Sequence, residues 1–312
     1  MHVLITGASG LVGSRIAQHL SSKGLSLRLA SRSHIPYSLN NSSTCQVDWD
    51  SQSSLDAACK DVDVVVHSCG MNAKDSGADP LAALLVNGVG TARLRLAASR
   101  AGVRRIIYFS TAHVYRSPLV GTITEDCCPL NLHPYATSHL AGESALYSPS
   151  NLSGPDILVL RMSNAFGAPL HPSANCWGLL ANDLCKQAVT TRTLSLATSG
   201  LQPRDFIPLA LVCAVTEQLL ASQPLQTSYQ VFNLGGCSMS VSDFAKLIQV
   251  QATNLLGQVL PLDIPLATLP TLKQDLDYRC TRLADILPLS RPELEVEINQ
   301  LLRFCLHHFA SC

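Results

Sequence analysis

Glycines at 7, 10 and 13 follow an apolar run, Val3-Leu4-Ile5, that ends in Thr6-Gly7, and a helical pattern starts at once with Leu11, Val12, Ile16, Ala17 and Leu20. Strand, glycine turn and helix in this order can hold the pyrophosphate of a dinucleotide. Gly7 permits the tight turn and Gly10 lets the backbone approach the phosphates. Gly13 lets the helix pack on its strand, so the N–H groups at the helix start, at Leu11 and Val12, point at the anion. A glycine-rich turn with no ligand is the competing reading, and the strand-before, helix-after context disfavours it. The second apolar run ends Leu29-Ala30-Ser31-Arg32-Ser33. The carboxylate that would select NAD by bonding the ribose hydroxyls is missing there, whereas Arg32, helped by Ser31, could meet a 2′-phosphate. The preference read from this is NADP over NAD. Alternatively Arg32 is a solvated cation stacked on adenine, which would serve either cofactor.

Alternating strand and helix signals predict the frame for this loop. A helix is predicted over 11–22, a strand over 25–30, a polar loop over 31–44, and a short strand over 45–47 that leads to Asp48. A helix over 53–59 and a strand over 62–67 come next. A long helix over 79–100 and a strand over 104–109, ending at Ser110-Thr111, follow. Another helix opens at Pro134-Tyr135, with proline in its favoured first-turn place, and a strand covers 157–160. The order implies an α/β fold, a Rossmann-type doubly wound parallel sheet, with strands apolar throughout because helices cover both faces. Past Asn164 the pattern loosens: Pro, Ser and Asn crowd 168–177, and helices are predicted over 178–188, 209–221, 242–255 and 293–308. The division read from this is an NAD(P)-binding Rossmann domain over 1–163 and a smaller C-terminal, substrate-binding lobe over 164–312, with segments returning to the first domain.

Lys+Arg and Asp+Glu are both 22 in 312 residues, so the net charge is zero and there is no electrostatic case for nucleic acid or an anionic membrane surface. Twelve cysteines include no Cys-x-x-Cys pair and no zinc-ligand spacing, and Cys127-Cys128 are adjacent. Reduced thiols, no metal site and a cytoplasmic location are therefore expected. Because the first strand starts at residue 1, no signal peptide is expected, and no apolar run reads as long enough to span a membrane.

The ordered set of motifs resembles the extended short-chain dehydrogenase/reductase family, within it the NAD(P)-dependent nucleotide-sugar epimerases and dehydratases, over nearly the whole length. Thr6-Gly7-x-x-Gly10-x-x-Gly13 is similar to the family's cofactor loop, and Asp48 to the acid that meets adenine. Asn87-Gly88-Val89-Gly90-Thr91 resembles its Asn-x-x-Gly-Thr helix. Phe109-Ser110-Thr111-Ala112-His113-Val114-Tyr115 resembles its Ser/Thr-bearing strand end. Arg161 to Pro169 and Arg204-Asp205-Phe206 are similar to two later segments. The resemblance implies a cofactor site that includes Gly7, Gly10, Leu11, Val12, Gly13, Ser31, Arg32, Asp48, Cys69 and Asn87. It implies Tyr135 as the base that takes a sugar hydroxyl proton and Thr111 as the hydroxyl that holds the same oxygen. It also implies Asn164 and Arg204 as contacts to a nucleotide-sugar substrate.

In the family a lysine four residues after the tyrosine holds the ribose; here that position is His139. A free tyrosine has a pKa of about 10 and is a poor base at pH 7 unless a nearby cation favours the phenolate. Lysine is such a cation, whereas histidine, with a reference pKa near 6.5, is mostly neutral at that pH. Residues 135 and 139 share a helix face, so His139 can point at the ribose with a shorter reach. Three readings remain open: a working enzyme with a retuned Tyr135, a cofactor-binding regulatory protein with little or no turnover, and His139 itself as acid/base. The dehydratases carry Thr-Asp-Glu where this chain has Thr111-Ala112-His113, so 4,6-dehydration is not expected and epimerisation or reduction remains. His113 reads either as an acid/base two residues from Thr111 or as a packed histidine. The family's Asn87 and Tyr135 helices often form a dimer seam, so a homodimer is expected with Leu81, Leu84, Leu85, Leu94, Leu96, Leu140 and Leu146 available to it. A second family arginine has no clean match; Lys273 and Arg279 are the candidates.

Overall fold

Seven strands of the computed structural model build one sheet: β1 (His2–Thr6), β2 (Ser26–Ser31), β3 (Ser42–Gln46), β4 (Val64–His67), β5 (Arg105–Thr111), β6 (Asp156–Met162) and β7 (Tyr229–Leu234), in the order β7-β6-β5-β4-β1-β2-β3. The structure describes residues 1–147, 154–223, 227–266, 275–289 and 293–310. Every neighbouring pair is parallel. β4 and β5 are buried at every position because side chains on both faces meet a core. Val3, Ile5, Val66 and Ile107 pack with the Leu11–Ser22 and Leu209–Ala221 helices on one face. Leu4, Val65, Ile106 and Tyr108 pack on the other, with Leu55, Leu94 and Leu146. Strand order reverses between β1 and β4, so their carboxyl ends open a crevice where ligands of such sheets bind.

Two predicted elements differ in instructive ways. The short strand forms at Ser42–Gln46 rather than 45–47, because Leu27–Ser31 offers it a parallel partner along its whole length. The long helix is preceded by a separate turn of helix, Ala73–Ala78, and is not uniform. It runs from Pro80–Ala83 through a π-helical segment, Leu84–Gly90, into Thr91–Arg100. Joined end to end, Pro80–Arg100 is apolar and long enough by length and composition to cross a membrane, which corrects the expectation of no such run. Of its apolar window, 44% is buried inside the protein. Leu94 and Leu146 are core residues, not available to a seam, while Leu81, Leu84, Leu85 and Leu96 are exposed.

A smaller layer covers the crevice. Its three-stranded sheet, Cys237–Ser240, Pro203–Pro208 and Asn164–Phe166, packs with the helices Leu180–Thr190, Val241–Leu256 and Leu294–Phe309. Phe206 and Phe244 stack at its centre with ring centroids 3.8 Å apart. One buried carboxylate ties this layer to the nucleotide-loop helix. Glu297 accepts hydrogen bonds from Arg15 Nη1 at 2.8 Å and from the backbone N–H of Ala210 at 2.9 Å. The second bond supplies the helix start at Leu209 with the acceptor that its N-cap, Pro208, lacks. A Cβ at Gly167 would lie 2.2 Å from Glu297 Oε1, so only glycine leaves room for the carboxylate. Glu297→Ala leaves a buried guanidinium and an orphan N–H, and is expected to cost about 3–5 kcal/mol, measured as a lower urea midpoint with an unchanged m-value.

Candidate active site

A cleft of about 1210 Å³ lies over the carboxyl ends of β1, β4 and β5. That exceeds the roughly 300–1,000 Å³ usual for one small ligand. Its floor at one end is the glycine turn. Gly7 has φ +71°, a left-handed conformation that favours glycine, and a Cβ there would meet the Ser68 carbonyl and Cys69 N at 2.8 Å. A Cβ at Gly13 would stand 2.4 Å from the Gly7 carbonyl oxygen. The turn therefore exists only with glycine at both places, and it leaves the start of the Leu11–Ser22 helix, capped by no side chain, facing the cleft. This is a cradle that fits a dinucleotide pyrophosphate. Ser31 and Arg32 line the cleft beyond it. Ser31 Oγ is 2.9 Å from Ser9 Oγ, and the exposed Arg32 guanidinium has no hydrogen-bond or ion-pair partner among the described residues. Cys69 lines the same wall, and burial pushes its thiol up to about 11, so it packs rather than reacts. Asp48 is exposed and caps the Asp50 N–H at 2.9 Å; Trp49 lines the cleft in its place.

At the centre, Thr111 ends β5 and Tyr135 sits in the first turn of the Pro134–Leu146 helix, whose N-cap is the His133 imidazole. Both line the cleft, where the Thr111 hydroxyl lies beside the Tyr135 phenol. His139, one turn on, is buried and does not line it. Its ring meets Tyr135 edge-on at 4.7 Å, and Nδ1 is 3.0 Å from the Tyr108 hydroxyl. Gly70 lies between it and the cleft: a Cβ there would be 3.3 Å from His139 Cε1. Burial pushes His139 down to about 4, so it is neutral at pH 7. Burial also raises the Tyr135 phenol above its usual value, which Thr111 opposes only in part. Among the described residues no cation acts on the Tyr135 phenol to make it a base.

Behind these residues the rings form a buried column. Trp49, His67, Tyr108 and His139 follow one another at 5.6, 5.3 and 6.1 Å between centroids. His67 Nδ1 is 2.7 Å from Thr6 Oγ1 and Nε2 is 3.0 Å from Thr91 Oγ1. Thr91 donates its own hydrogen to the Asn87 carbonyl at 2.6 Å, so it accepts from His67 Nε2–H, and Thr6 donates to Nδ1. Both nitrogens of a neutral ring are thereby satisfied, and burial first, then His139, holds His67 down at about 3. Asn87 does not line the cleft either. Its side chain accepts from Met71 N at 2.8 Å and donates to Ser138 Oγ at 2.9 Å, locking the π-helical segment to the Tyr135 helix. His67 and Tyr108 were not singled out in the sequence. They sit inside uniformly buried strands, where no periodicity separates a polar ring with a task from a packed one.

The far end is built by the smaller layer. Arg204 and Asn164 both line the cleft. Arg204 does not pair with its neighbour Asp205, which is buried and accepts from Gly236 N at 2.7 Å and Ser238 Oγ at 3.0 Å. The Arg204 guanidinium has no carboxylate partner among the described residues, and burial lowers its pKa, the signature of a cation waiting for an anion. Asn164 donates to the Asp205 carbonyl at 2.8 Å and lies beside the His113 ring. Of the two candidates for a second arginine-like contact, Arg279 pairs with Asp277 at 2.6 Å and does not line the cleft, and Lys273 lies outside the described residues.

Residues 3–235 match the family described as "NAD dependent epimerase/dehydratase family". A UDP-glucose 4-epimerase of Azospirillum brasilense is 30% identical over 53% of this chain, and one of Mycolicibacterium smegmatis is 31% identical over 66%. The chain spans 49% of the first enzyme's length and 69% of the second's. Among solved structures, MoeE5 in complex with UDP-glucose and NAD superposes with a TM-score of 0.81 at 22% identity, covering 99% of this chain and 100% of that one. A UDP-glucuronic acid 4-epimerase from Bacillus cereus in complex with NAD gives 0.80 at 21% identity, again covering 99% and 100%. At these identities the superpositions establish the fold.

Two outcomes follow from the geometry. Gly13→Ala is expected to abolish dinucleotide binding in a fluorescence titration, because the added methyl and the Gly7 carbonyl cannot both keep their places. His67 and His139 bind no proton in the folded state until the pH falls to about 3 and about 4, whereas the unfolded chain protonates both near 6.5. Stability is then full above about pH 6.5 and is lost progressively as the pH falls below it, by on the order of 2–3 kcal/mol per histidine near pH 4. Urea denaturation at stepped pH checks this, and His67→Gln should flatten the slope.

Proposed function

The chain belongs to the NAD-dependent epimerase/dehydratase family, and on that premise we propose that it transfers hydride at a carbon of a nucleotide-activated sugar, as an epimerase or reductase. The observation that carries this reading is the meeting, in one cleft, of a glycine cradle for a dinucleotide, the Thr111–Tyr135 pair, and an unpaired, half-buried Arg204 suited to a diphosphate. Relatives with the names of UDP-glucose 4-epimerases support the substrate class. When bound, the nicotinamide supplies the hydride acceptor. The protein's own work is to seat the pyrophosphate on the Leu11–Ser22 helix, hold the sugar hydroxyl between Thr111 and Tyr135, and grip the sugar's diphosphate through Arg204. Asp75 is the one carboxylate among the described lining residues, and it is bonded to Asn72 at 2.7 Å. Acid/base water elimination by paired carboxylates therefore has no machinery here, which favours epimerisation or reduction over 4,6-dehydration.

A second reading rests on the buried, neutral His139: a cofactor-binding protein of weak or no turnover, used for regulation. His139→Lys separates the two. If the histidine only handicaps Tyr135, the lysine variant is expected to raise kcat several-fold or more and to lower the pH optimum, with UDP-glucose and NAD as the first probes. A chain inactive for other reasons gains nothing.

The unpaired Arg32 and the absence of an acid at the end of β2 support NADP over NAD. NADPH is expected to bind more tightly than NADH, and Arg32→Ala to weaken NADPH by roughly 10-fold or more, the worth of a charge-assisted phosphate bond, while leaving NADH nearly unchanged in the same titration. The absence of a Cys-x-x-Cys pair or zinc-ligand spacing among the cysteines of the sequence supports a reducing, cytoplasmic compartment. The exposed Leu81, Leu84, Leu85 and Leu96 support a homodimer through the Pro80–Arg100 helix.

A further inference from the structure

His113 occupies a place that neither its sequence context nor the role of Tyr135 accounts for. It lies in the 3-10 turn Ala112–Val114 directly after β5, and it lines the cleft. Its main chain is fixed on both sides: its N–H donates to Thr111 Oγ1 at 3.2 Å, and its carbonyl accepts from Asn131 Nδ2 at 2.7 Å. Its ring centroid stands 6.4 Å from that of Tyr135. Asn164, whose Nδ2 donates to the Asp205 carbonyl at 2.8 Å, lies beside the ring.

We propose that His113, which lines the cleft beside Thr111 and Tyr135, is the base that takes the proton of the sugar hydroxyl seated between them. The inference rests on the hydride-transfer reading above. In the step the O–H bond breaks and its electron pair becomes the second C–O bond of a ketone. The carbon's hydride leaves to an oxidised nicotinamide, the co-reactant, and the proton forms a new N–H bond on His113, leaving imidazolium. The return reduction reverses each transfer. Tyr135 then donates or accepts a hydrogen bond at the same oxygen without ionising, consistent with the lack of a cation beside it.

The groups that face His113 are Arg204 on the Pro203–Pro208 strand, Tyr135 on its helix, and His133 at that helix's N-cap. Burial, then the Arg204 charge, holds the imidazole below its usual pKa, so the ring is unprotonated at neutral pH and its activity is lost as the pH falls through that lowered value. A diphosphate seated on Arg204 cancels the positive field and makes His113 a stronger base once substrate is bound. The acid limb of kcat should then lie at higher pH than that of kcat/KM, since the first reports the bound complex and the second the free enzyme.

The test pairs His113→Gln with Tyr135→Phe, using NAD and UDP-glucose as probes and following reduced nicotinamide in a single turnover. His113→Gln is expected to lose roughly 10²–10⁴ in rate, the usual worth of a general base, together with the acid limb, while UDP-glucose affinity changes only a few-fold. Tyr135→Phe is expected to keep the limb. A His113→Gln enzyme with the wild-type rate and limb overturns the proposal. A readout free of turnover is the histidine ¹⁵N spectrum of the full chain, with His113 assigned by its loss in His113→Gln. A neutral His113 ring at pH 7 is expected. A His113 ring that is protonated at pH 7 overturns the proposal even if no sugar nucleotide is turned over. Failure of the substrate assignment and failure of the base thus remain separate outcomes.

Discussion

Desolvation at the carboxyl ends of β4 and β5 governs this site. A buried charge is costly unless it is paired, and behind the cleft Glu143 accepts two bonds from Arg161, at 2.7 and 3.1 Å, and one from Ser110 Oγ at 2.5 Å. Beside this pair the ring column is neutral: His67 bonds Thr6 and Thr91, and the Tyr108 hydroxyl bonds His139 Nδ1. Within such a column a lysine ammonium would need its own compensating acceptors, whereas an imidazole fits at no charge and closes a hydrogen bond with Tyr108. The substitution at 139 is thus locally comfortable. Its consequence falls on Tyr135, which loses the field that would have favoured phenolate.

The column forms only because backbones come unusually close. Gly142 allows the Tyr135 helix to lie against the π-helical segment: a Cβ there would be 2.5 Å from the Asn87 carbonyl and 2.6 Å from the Tyr108 hydroxyl. Gly88 and Gly90 make similar room for Ala141 and Trp49. The π-helical bulge turns the Asn87 side chain inward to Ser138 and Met71 and frees the Asn87 carbonyl for Thr91. The same economy of glycine operates at Gly7 and Gly13. One physical device, removal of a methyl where two main chains must touch, therefore sets both the glycine turn and the height of the Tyr135 helix above the sheet.

This device is also why part of the molecule was legible in the sequence and part was not. The loop over 7–13 and the parallel sheet announce themselves, since apolar runs, glycine spacing and helix period are local signals. The helix 209–221 was read to the residue for the same reason. The strands Pro203–Pro208 and Cys237–Ser240 were not foreseen, because their pairing is made by residues far apart in the chain and their burial pattern carries no alternation. At the site, Tyr135, Thr111 and Arg204 could be named from motif order. That His139 lies beneath Gly70 rather than in the cleft, and that Asp48 turns to its own loop, could not: side-chain reach and rotamer are decided by neighbours that no local spacing reveals.

The two histidines are best understood together. Position 139 lies under the cofactor end of the cleft and is walled in by Tyr108, Gly70 and Tyr135, so its neutrality removes a cation and supplies nothing that can accept a proton from the cleft. Position 113 lies in the turn after β5, lines the cleft and stands beside Tyr135. Proton transfer needs a partner whose pKa is near the working pH and whose lone pair is within reach. Tyrosine meets that requirement only when a cation lowers its pKa; an imidazole meets it without help. A field that was built from a lysine would act on Tyr135 whether or not substrate is present. A field that comes from Arg204 is switched off by the substrate's own charge, so basicity at His113 would rise only in the complex that has a hydroxyl to deprotonate. Coupling the proposed base to the diphosphate in this way would tie the chemistry to nucleotide-linked sugars and withhold it from free ones, a form of specificity that a fixed cation does not provide.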